Sequence, residues 1–293
     1  MKQPFYLILP LLFLLFGCSI TKLQEKGEVE PQNFHSKLTF KTYKGVIGFE
    51  GSVNGDIKTF LFDTGADFCL LQRDSIVGKK SNFSGASKRK MKLGNERLES
   101  LVIGGIKFIN THALNGDFVG LKEQVPNFGG LIGQSIIQKA NWLIDYPNKL
   151  IEISNRSLVD NTYKEIETIR DNGNNPYTFI EVNGKRYKVV IDLGSTSTLN
   201  LPKDSQFAKD IMNLIDLNEN SRERYTLGGL QNITEKIGVI PTVKLGGFDF
   251  SNVDVNINTS SQPRIGINFF KDYLIYIDNS NGGIFKLKKG VVE

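Results

Sequence analysis

Short runs of apolar and β-branched residues, broken by turn-forming residues, make up most of the chain. Asn-Gly, Gly-Gly and Pro interrupt these runs, and long stretches with the helical spacing of apolar residues are scarce. Strand-length runs bounded by such turns are typical of β-sheets. Asn54-Gly55 and Asn183-Gly184 each stand between two strand-like runs, which predicts a tight β-hairpin at both places. The pattern therefore predicts an all-β fold with few and short helices.

The predicted elements occur twice in the same order. VNGDIKTFLFDTGADFCLL in the first half corresponds to VNGKRYKVVIDLGSTSTLNL in the second, and Asp63 and Asp192 occupy equivalent places. A Gly-Gly hairpin, an Ile-Gly dipeptide followed by a predicted short helix, and a final hairpin then recur in both halves. A period of about 130 residues is far longer than that of a solenoid repeat, so the sequence predicts a duplicated domain. Two similar lobes related by a pseudo-two-fold axis would bring equivalent residues together at their interface.

Asp63 lies in FLFDTGADFCLL, between two apolar runs where an unpaired charge is costly. An axis that passes near Asp63 also passes near Asp192, so the two carboxyl groups would face each other. Two carboxyl groups at hydrogen-bonding distance share one proton. The ionised one can then take a proton from water while the protonated one polarises the carbonyl group of an amide. Gly65 and Gly194 would let each loop turn tightly and aim an N–H group at its carboxylate.

These motifs resemble those of the aspartic peptidases that include the pepsins and the retroviral proteases. FLFDTGADFCLL is very similar to the retroviral active-site sequence, and LIG at 131–133 and RIG at 264–266 resemble the hydrophobic-Gly element beside the active-site strand. The resemblance covers roughly residues 43–290. It implies a pepsin-like bilobal acid-protease fold of two retropepsin-like β-barrel lobes, over 41–165 and 166–293, each with a short helix. It also implies an aspartic endopeptidase that cleaves peptides or proteins and needs no cofactor or metal ion.

The resemblance assigns roles to individual residues. Asp63 and Asp192 would be the catalytic dyad, and the Thr64 hydroxyl would bond across the lobe interface. The loops that support the dyad would include Thr64, Gly65, Ala66, Gly194 and Ser195. Hairpin flaps over the substrate would have their tips at Leu93 and Gly94 in the first copy, and at Tyr225, Gly228 and Gly229 in the second.

The second copy departs from the family pattern, because it reads Asp192-Leu193-Gly194-Ser195. Leu193 has no hydroxyl, so the reciprocal bond cannot form, and a buried Thr64 that lost its partner would cost about 1–3 kcal/mol. Ser195 could donate to Asp192, whereas Ala66 cannot donate to Asp63, so we expect Asp63 to hold the shared proton more often. Leu193 also favours the alternative of a catalytically inactive pseudo-peptidase that acts as a peptide-binding or adaptor lipoprotein.

The N-terminus predicts a lipoprotein. MKQPFYLILPLLFLLFGCSI has one lysine, a short apolar run and small residues before a cysteine, which is typical of a secretory signal over residues 1–18. LFGC resembles the lipobox of bacterial lipoproteins, with Cys18 as the acylated residue; an ordinary signal peptide or an anchor helix is the alternative. Residues 19–40 are rich in Gln, Glu, Lys and Ser, and we expect a flexible tether there. The expected location is the bacterial cell envelope, at the outer membrane or the periplasmic face.

Composition narrows the choice of partners and chemistry. The chain has 293 residues, is 40% hydrophobic and carries a net charge of +5, which is ordinary for a globular protein. The basic cluster around residues 79–90 is interpreted as a solvated loop, so nucleic acid is not an expected partner. His35 and His112 are the only two histidines, which leaves little for a Ser/His/Asp triad or a His-based metal site. Because both lobes lie in one chain, we expect a monomer.

Overall fold

The computed structural model describes residues 18–84, 90–171, 173–227 and 229–290, with only the backbone given for residues 18, 19 and 84. It is 57% strand and 10% helix, so the prediction of an all-β protein is confirmed. The strands of the first half are β1 (Glu28–Glu30), β2 (His35–Thr39), β3 (Lys41–Tyr43), β4 (Val46–Val53), β5 (Asp56–Phe62), β6 (Cys69–Gln72), β7 (Lys80–Ser84), β8 (Lys90–Ile103), β9 (Ile106–Gly116), β10 (Phe128–Ile132), β11 (Asn141–Asp145) and β12 (Leu150–Ser154).

The second half continues with the same kind of element. Its strands are β13 (Lys164–Ile166), β14 (Ile169–Arg170), β15 (Pro176–Val182), β16 (Lys185–Asp192), β17 (Leu199–Pro202), β18 (Asn218–Thr226), β19 (Gly229–Leu245), β20 (Phe248–Asn258), β21 (Arg264–Gly266), β22 (Tyr273–Asp278) and β23 (Ile284–Lys289). The α-helices are α1 (Cys18–Gln24), α2 (Val119–Lys122), α3 (Gln134–Ile137) and α4 (Gln206–Met212), and 3₁₀ turns cover Ile267–Phe270 and Asn279–Asn281.

The two halves form sheets with the same internal strand order. The first half gives a nine-stranded sheet in the order β1-β9-β6-β10-β5-β4-β8-β7, with β3 beside β4. The second half gives an eight-stranded sheet in the order β14-β15-β16-β21-β17-β20-β19-β18. The segment β9-β6-β10-β5-β4 of the first therefore corresponds to β20-β17-β21-β16-β15 of the second. Each sheet also curls on itself, since β8 pairs with both β4 and β9, and β19 pairs with both β15 and β20.

A third sheet joins the halves in the order β13-β23-β22-β11-β12-β2. Its centre is the antiparallel pair of β11 and β22, in which Leu143 lies opposite Tyr276. The order is symmetrical about this centre. On one side β22 is followed by its hairpin partner β23 and then β13, and on the other side β11 is followed by its hairpin partner β12 and then β2. Trp142, Ile144 and Ile275 are fully buried in the main apolar core that this sheet shares with the other two.

Local turn chemistry explains the predicted hairpins. Asn54 and Asn183 adopt positive φ angles of 52° and 48°, and each links two antiparallel strands, β4 to β5 and β15 to β16. The Gly-Gly turns connect β8 to β9 and β19 to β20. The short helix predicted after each Ile-Gly dipeptide is α3 in the first copy and a 3₁₀ turn in the second.

The prediction of a flexible tether over residues 19–40 is wrong for the described part of that segment. β1 pairs with β9 and β2 pairs with β12. In α1, the buried Gln24 amide donates to the carbonyl oxygens of Asp67 at 2.7 Å and Gly173 at 2.8 Å. The polar composition arises because β1 and β2 are edge strands with alternating exposed residues, which resemble a linker in composition alone.

Residues 1–17 lie outside the described residues, so the signal peptide stays a prediction. The helix α1 begins at Cys18, whose side chain is likewise not described. Within the described ranges, no helix is long and apolar enough to cross a membrane.

Gln24→Ala should lower the free energy of unfolding by about 1–3 kcal/mol, because two carbonyl groups would lose the donor that reaches them. Urea unfolding measures the change. Gln32→Ala is the matched control, since Gln32 is exposed. Equal unfolding midpoints for the two variants would show that α1 contributes little to the stability of the body.

Candidate active site

Asp63 and Asp192 stand at equivalent ends of two buried strands. Asp63 directly follows β5, and its N–H donates to the carbonyl oxygen of Ile132 at 3.0 Å. Asp192 is the last residue of β16 and lies opposite Gly266 of β21. In both halves the aspartate thus ends a strand that runs parallel to the strand of the LIG or RIG sequence.

The two aspartates face each other across the junction of the halves. A Cβ atom placed on Gly194 would lie 2.6 Å from Oδ1 of Asp63, and one on Gly65 would lie 3.0 Å from Cγ of Asp192. Each carboxyl group therefore packs over the glycine of the opposite loop. A side chain at Gly194 would collide with Asp63, and one at Gly65 would make a tight contact with Asp192. The Asp192 carboxyl group is close enough to raise the pKa of Asp63 through charge repulsion and a side-chain hydrogen bond.

Each loop also supplies a backbone donor to its own aspartate. The Gly65 N–H donates to Oδ1 of Asp63 at 2.8 Å, and the Gly194 N–H donates to Oδ1 of Asp192 at 3.1 Å. Both bonds orient the carboxyl groups toward the junction. The prediction that each glycine directs an N–H group at the aspartate of its own loop is therefore confirmed in both halves.

Thr64 joins the two loops through backbone groups. Its buried hydroxyl donates to the carbonyl oxygen of Ile191 at 2.7 Å and accepts from the N–H of Leu193 at 2.9 Å. Leu193 itself is fully buried in the apolar core. The expectation that Thr64 could lose its partner is wrong, because the groups it binds belong to the backbone, and any residue other than proline at position 193 provides the N–H group.

Ser195 and Ala66 have structural partners. The expectation that Ser195 donates to Asp192 is wrong, because its Oγ lies 2.8 Å from Oγ of Ser197. The carbonyl oxygen of Ala66 accepts from the N–H of Gln134 at 2.8 Å, which ties the first loop to α3.

Arg264 is the residue beside the dyad that sequence reasoning missed. Its Nη1 donates to Oδ2 of Asp192 at 2.6 Å, and both side chains are about nine-tenths buried. The equivalent residue of the first copy is Leu131, which likewise precedes Ile-Gly and is buried. The difference between LIG and RIG was the signal that could have found it, since an arginine at an apolar position needs an anionic partner.

The environment makes the two carboxyl groups unequal. Burial, followed by repulsion from the Asp192 carboxylate, raises the pKa of Asp63 to about 8. Arg264 compensates the negative charge of Asp192 directly, whereas Asp63 has no cation bonded to it among the described residues. Asp63 is therefore the protonated member at neutral pH. This agrees with the expected direction, but the causes are burial and the neighbouring Asp192 carboxylate rather than a donor on Ser195.

Gln134 is a second supporting residue that the sequence analysis did not identify. It is fully buried, and its Nε2 donates to the carbonyl oxygen of Thr64 at 2.7 Å. The second copy has Ile267 after its Ile-Gly dipeptide, so this side-chain bond belongs to the first loop alone. Its position directly after Gly133 was the available signal.

The flap prediction is wrong for the first copy. Leu93 and Gly94 lie within β8, where Gly94 pairs with Lys80 of β7 and Asn115 of β9. A side chain on Gly94 would collide with the carbonyl oxygen of Val77, so the glycine reflects a close backbone approach and not a turn. The connection between β7 and β8 lies at residues 85–89, outside the described residues.

The second predicted flap does lie at a hairpin tip. β18 and β19 pair from Asn218 opposite Ile237 to Thr226 opposite Gly229. Gly228 lies outside the described residues, while Gly229 has a φ of 102°. A Cβ atom on Gly120 of α2 would lie 2.5 Å from the Gly229 Cα atom, so this hairpin of the second half rests on the first half.

A cleft of about 500 Å³ contains both aspartates and is lined in part by this hairpin, including Tyr225. The first half contributes an apolar wall, formed by Val46, Leu61, Met91, Leu121, Val125 and Leu131. The second half contributes a polar wall, formed by Asn200, Arg222, Arg224, Ser260 and Arg264. Within the described residues, no group of three or more His, Cys, Asp or Glu side chains could hold a metal ion.

Comparison with known families and curated proteins found no match, so a conclusion about function depends on the geometry of the site. No protein-family model matches the chain, and no curated protein matches it. The two halves of the chain therefore serve as references for each other. Positions that agree between the copies, such as Asp63 and Asp192, can be separated from positions that differ, such as Leu131 and Arg264.

Thr64→Val should lower the free energy of unfolding by about 1–3 kcal/mol, because it leaves two buried backbone groups of the second loop without their partner. Thr64→Ser keeps the hydroxyl and should lose less than half of that amount. Chemical denaturation of both variants measures the difference. Equal losses would attribute the effect to the packing of the threonine methyl group instead of its hydrogen bonds.

Asp63→Asn and Asp192→Asn should change stability in opposite directions at pH 7. Folded Asp63 retains a proton that the unfolded chain releases above about pH 4, so folding of the wild type becomes less favourable between that pH and about 8. Asparagine avoids this cost, and the relative gain of Asp63→Asn should grow as the pH rises through that range.

Asp192→Asn should instead cost about 3–5 kcal/mol, because it leaves Arg264 buried without its carboxylate. Thermal unfolding of both variants between pH 4 and about pH 8 tests the pair. Equal effects of the two substitutions across this range would contradict the assignment of the proton to Asp63.

Proposed function

We propose that the protein is an aspartic endopeptidase that hydrolyses peptide bonds with water activated by Asp63 and Asp192. The observation that carries the proposal is the crossed arrangement of the two loops, in which each carboxyl group packs over the glycine of the other loop. The dyad lies in a cleft with room for an extended peptide segment, and a hairpin of the second half forms part of its lining. No cofactor is part of the proposed chemistry.

The unequal carboxyl groups divide the proposed reaction between them. Ionised Asp192 takes a proton from the attacking water, and protonated Asp63 gives its proton to the carbonyl oxygen, which yields a neutral tetrahedral diol. Asp192 then passes its proton to the leaving nitrogen, and Asp63 regains a proton as the carbonyl group re-forms. The C–N bond breaks, and one water is consumed for each bond cleaved.

We further propose that the fold is the pepsin-like bilobal one, with two retropepsin-like β-barrel lobes. The repeated strand order, the curling of both sheets and the shared six-stranded sheet support this proposal. The substrate would lie in the cleft between the lobes.

The proposed location is the bacterial cell envelope, with a lipid on Cys18 that anchors the protein at the outer membrane or the periplasmic face. The sequence before Cys18 supports it. Because α1 begins at Cys18, and Ile20 and Leu23 pack against the apolar cluster beside the cleft, the anchor would hold the body directly at the membrane surface.

Arg264 favours a second candidate function, that of a peptide-binding pseudo-peptidase. The Asp192 carboxylate accepts from Arg264 through Oδ2 and from Gly194 through Oδ1, so both of its oxygens are already hydrogen-bonded within the protein. A dyad with its acceptor oxygens engaged in this way would still bind a peptide in the cleft. The two candidates differ in whether a bound peptide is cleaved.

Cleavage of a mixed peptide library by the purified protein tests the proposal, with products read by mass spectrometry. Wild-type protein should cleave, and Asp63→Asn and Asp192→Asn should each lower the rate at least about a hundredfold, since each removes a proton-transfer group. Arg156→Met, an exposed change outside the cleft, is the control. Binding without cleavage at any pH would support the pseudo-peptidase.

The pH dependence of the cleavage rate should follow the proton on Asp63. Because the active form needs Asp63 protonated and its pKa is about 8, kcat/KM should fall as the pH rises through that value. The maximum should therefore lie at mildly acidic to neutral pH. Activity confined to pH below about 3 would contradict this assignment.

A further inference from the structure

The polar wall contains buried polar atoms that have no partner within the described structure. Asn200, Ser260 and Arg264 are each more than nine-tenths buried, and Arg224 is partly buried. The unpaired atoms are Oδ1 of Asn200, Nε of Arg224, Oγ of Ser260 and Nε of Arg264. Three of these atoms, on Arg224, Ser260 and Arg264, are hydrogen-bond donors. Unpaired buried donors are costly, so their cluster along one wall of a cleft indicates a place where a ligand supplies acceptors.

Comparison of the two copies shows that the fold does not require polar residues there. Arg264 of β21 lies opposite Asn200 of β17. At the same register in the first half, Leu131 of β10 lies opposite Leu70 of β6, and both leucines belong to an apolar cluster. The same backbone arrangement is thus filled once by an apolar pair and once by a polar pair. The sheet therefore does not require polar residues at this pair, which instead contributes to the lining of the cleft.

The charges of the polar wall are unevenly compensated. Arg222 is paired with Glu235, which is buried and also accepts from Asn256 and Asn258, and Arg264 is paired with Asp192. Within the described residues, no carboxylate forms an ion pair with Arg224, whose Nη2 donates to the amide oxygen of Gln231 at 3.2 Å.

The surroundings of Arg224 are short of negative charge. Burial and the nearby cations Arg222 and Arg264 lower the pKa of Arg224, and Glu235 opposes that shift only in part. Besides Asp192, which is paired with Arg264, the second half contributes one carboxylate to the lining among the described residues, that of Glu223, an exposed residue on the same strand as Arg224. An anionic group from a ligand would therefore gain both charge compensation and hydrogen bonds.

We infer that the polar wall is a subsite for the carboxylate of an acidic side chain in the bound peptide, while the apolar wall takes an apolar side chain on the other side of the dyad. Guanidinium groups suit this role, because they bind carboxylates through charge-assisted hydrogen bonds with fixed geometry. Ser260 can donate a further bond. The preference for a particular cleavage site rests on the proposed peptidase function, whereas the binding preference does not.

Binding to Asp63→Asn tests the subsite separately from catalysis. Asp63 is protonated near neutral pH, so asparagine replaces it without a change of charge. The probes are fluorescein-labelled apolar peptides with amidated C-termini, in which one Glu is placed at each position in turn, and matched peptides carry Gln there. Fluorescence anisotropy should show at least about tenfold tighter binding of Glu over Gln at one position, as expected for a charge-assisted bond.

Two substitutions in the polar wall should remove this preference. Arg224→Met deletes the uncompensated cation, and Ser260→Ala removes the unpaired hydroxyl donor. Each should bring the ratio of Gln to Glu dissociation constants close to one, and thermal unfolding shows whether each variant is folded. Arg156→Met, made in the same background, loses an exposed arginine and should keep the preference.

The outcomes distinguish the failure of the subsite proposal from the failure of the peptidase proposal. A ratio of Gln to Glu dissociation constants near one at every position, or a preference for Glu that survives in folded Arg224→Met, would overturn the subsite. A preference in binding without cleavage by wild-type protein would support the subsite and contradict the peptidase. Cleavage by wild-type protein with no preference for Glu in binding would support the peptidase and overturn the subsite.

Discussion

The hydroxyl of Thr64 connects the two halves of the molecule beside Asp63 and Asp192. It binds a carbonyl oxygen and an N–H group of the second loop, and both bonds are buried. With the loops held in this way, each carboxyl group lies over the glycine of the opposite loop, so close at Gly194 that a side chain there would collide with Asp63. The shared proton, the raised pKa of Asp63 and the position of the cleft all follow from this contact, because a shift of either loop would separate the two aspartates.

The two halves have the same internal strand order, but their cleft surfaces differ. Leu131 and Arg264 occupy the same register beside the same kind of strand, yet one extends an apolar wall and the other neutralises Asp192. This single difference affects both the proton distribution in the dyad and the polarity of the cleft. Two identical subunits related by a two-fold axis could not have this difference, since both would carry the same residue at this position. One covalent chain can therefore bind an unsymmetrical ligand in an approximately symmetrical fold.

Elements that depend on local chemistry were predictable from the sequence. The Asn-Gly hairpins follow from the positive φ angles that Asn and Gly tolerate, and the facing aspartates follow from their equivalent positions in a repeat. Elements that depend on neighbours were not. The segment 19–40 resembles a linker in composition, but β1 and β2 find edge partners in β9 and β12. Gly94 resembles a turn residue, but it lies in a strand because the Val77 carbonyl approaches it closely.

The sequence by itself determined the all-β class, the duplication and the two aspartates with their glycines, because periodicity, turn preference and internal equivalence are properties of the chain alone. The tertiary structure decided which groups complete the dyad. Thr64 binds backbone atoms, so the identity of residue 193 could not reveal its partners, and Arg264 lies 72 positions from Asp192 in the chain. Burial raises the pKa of Asp63 only when both halves are packed around it. The environment of a charged group depends on residues that folding brings near, which spacing along the chain does not encode.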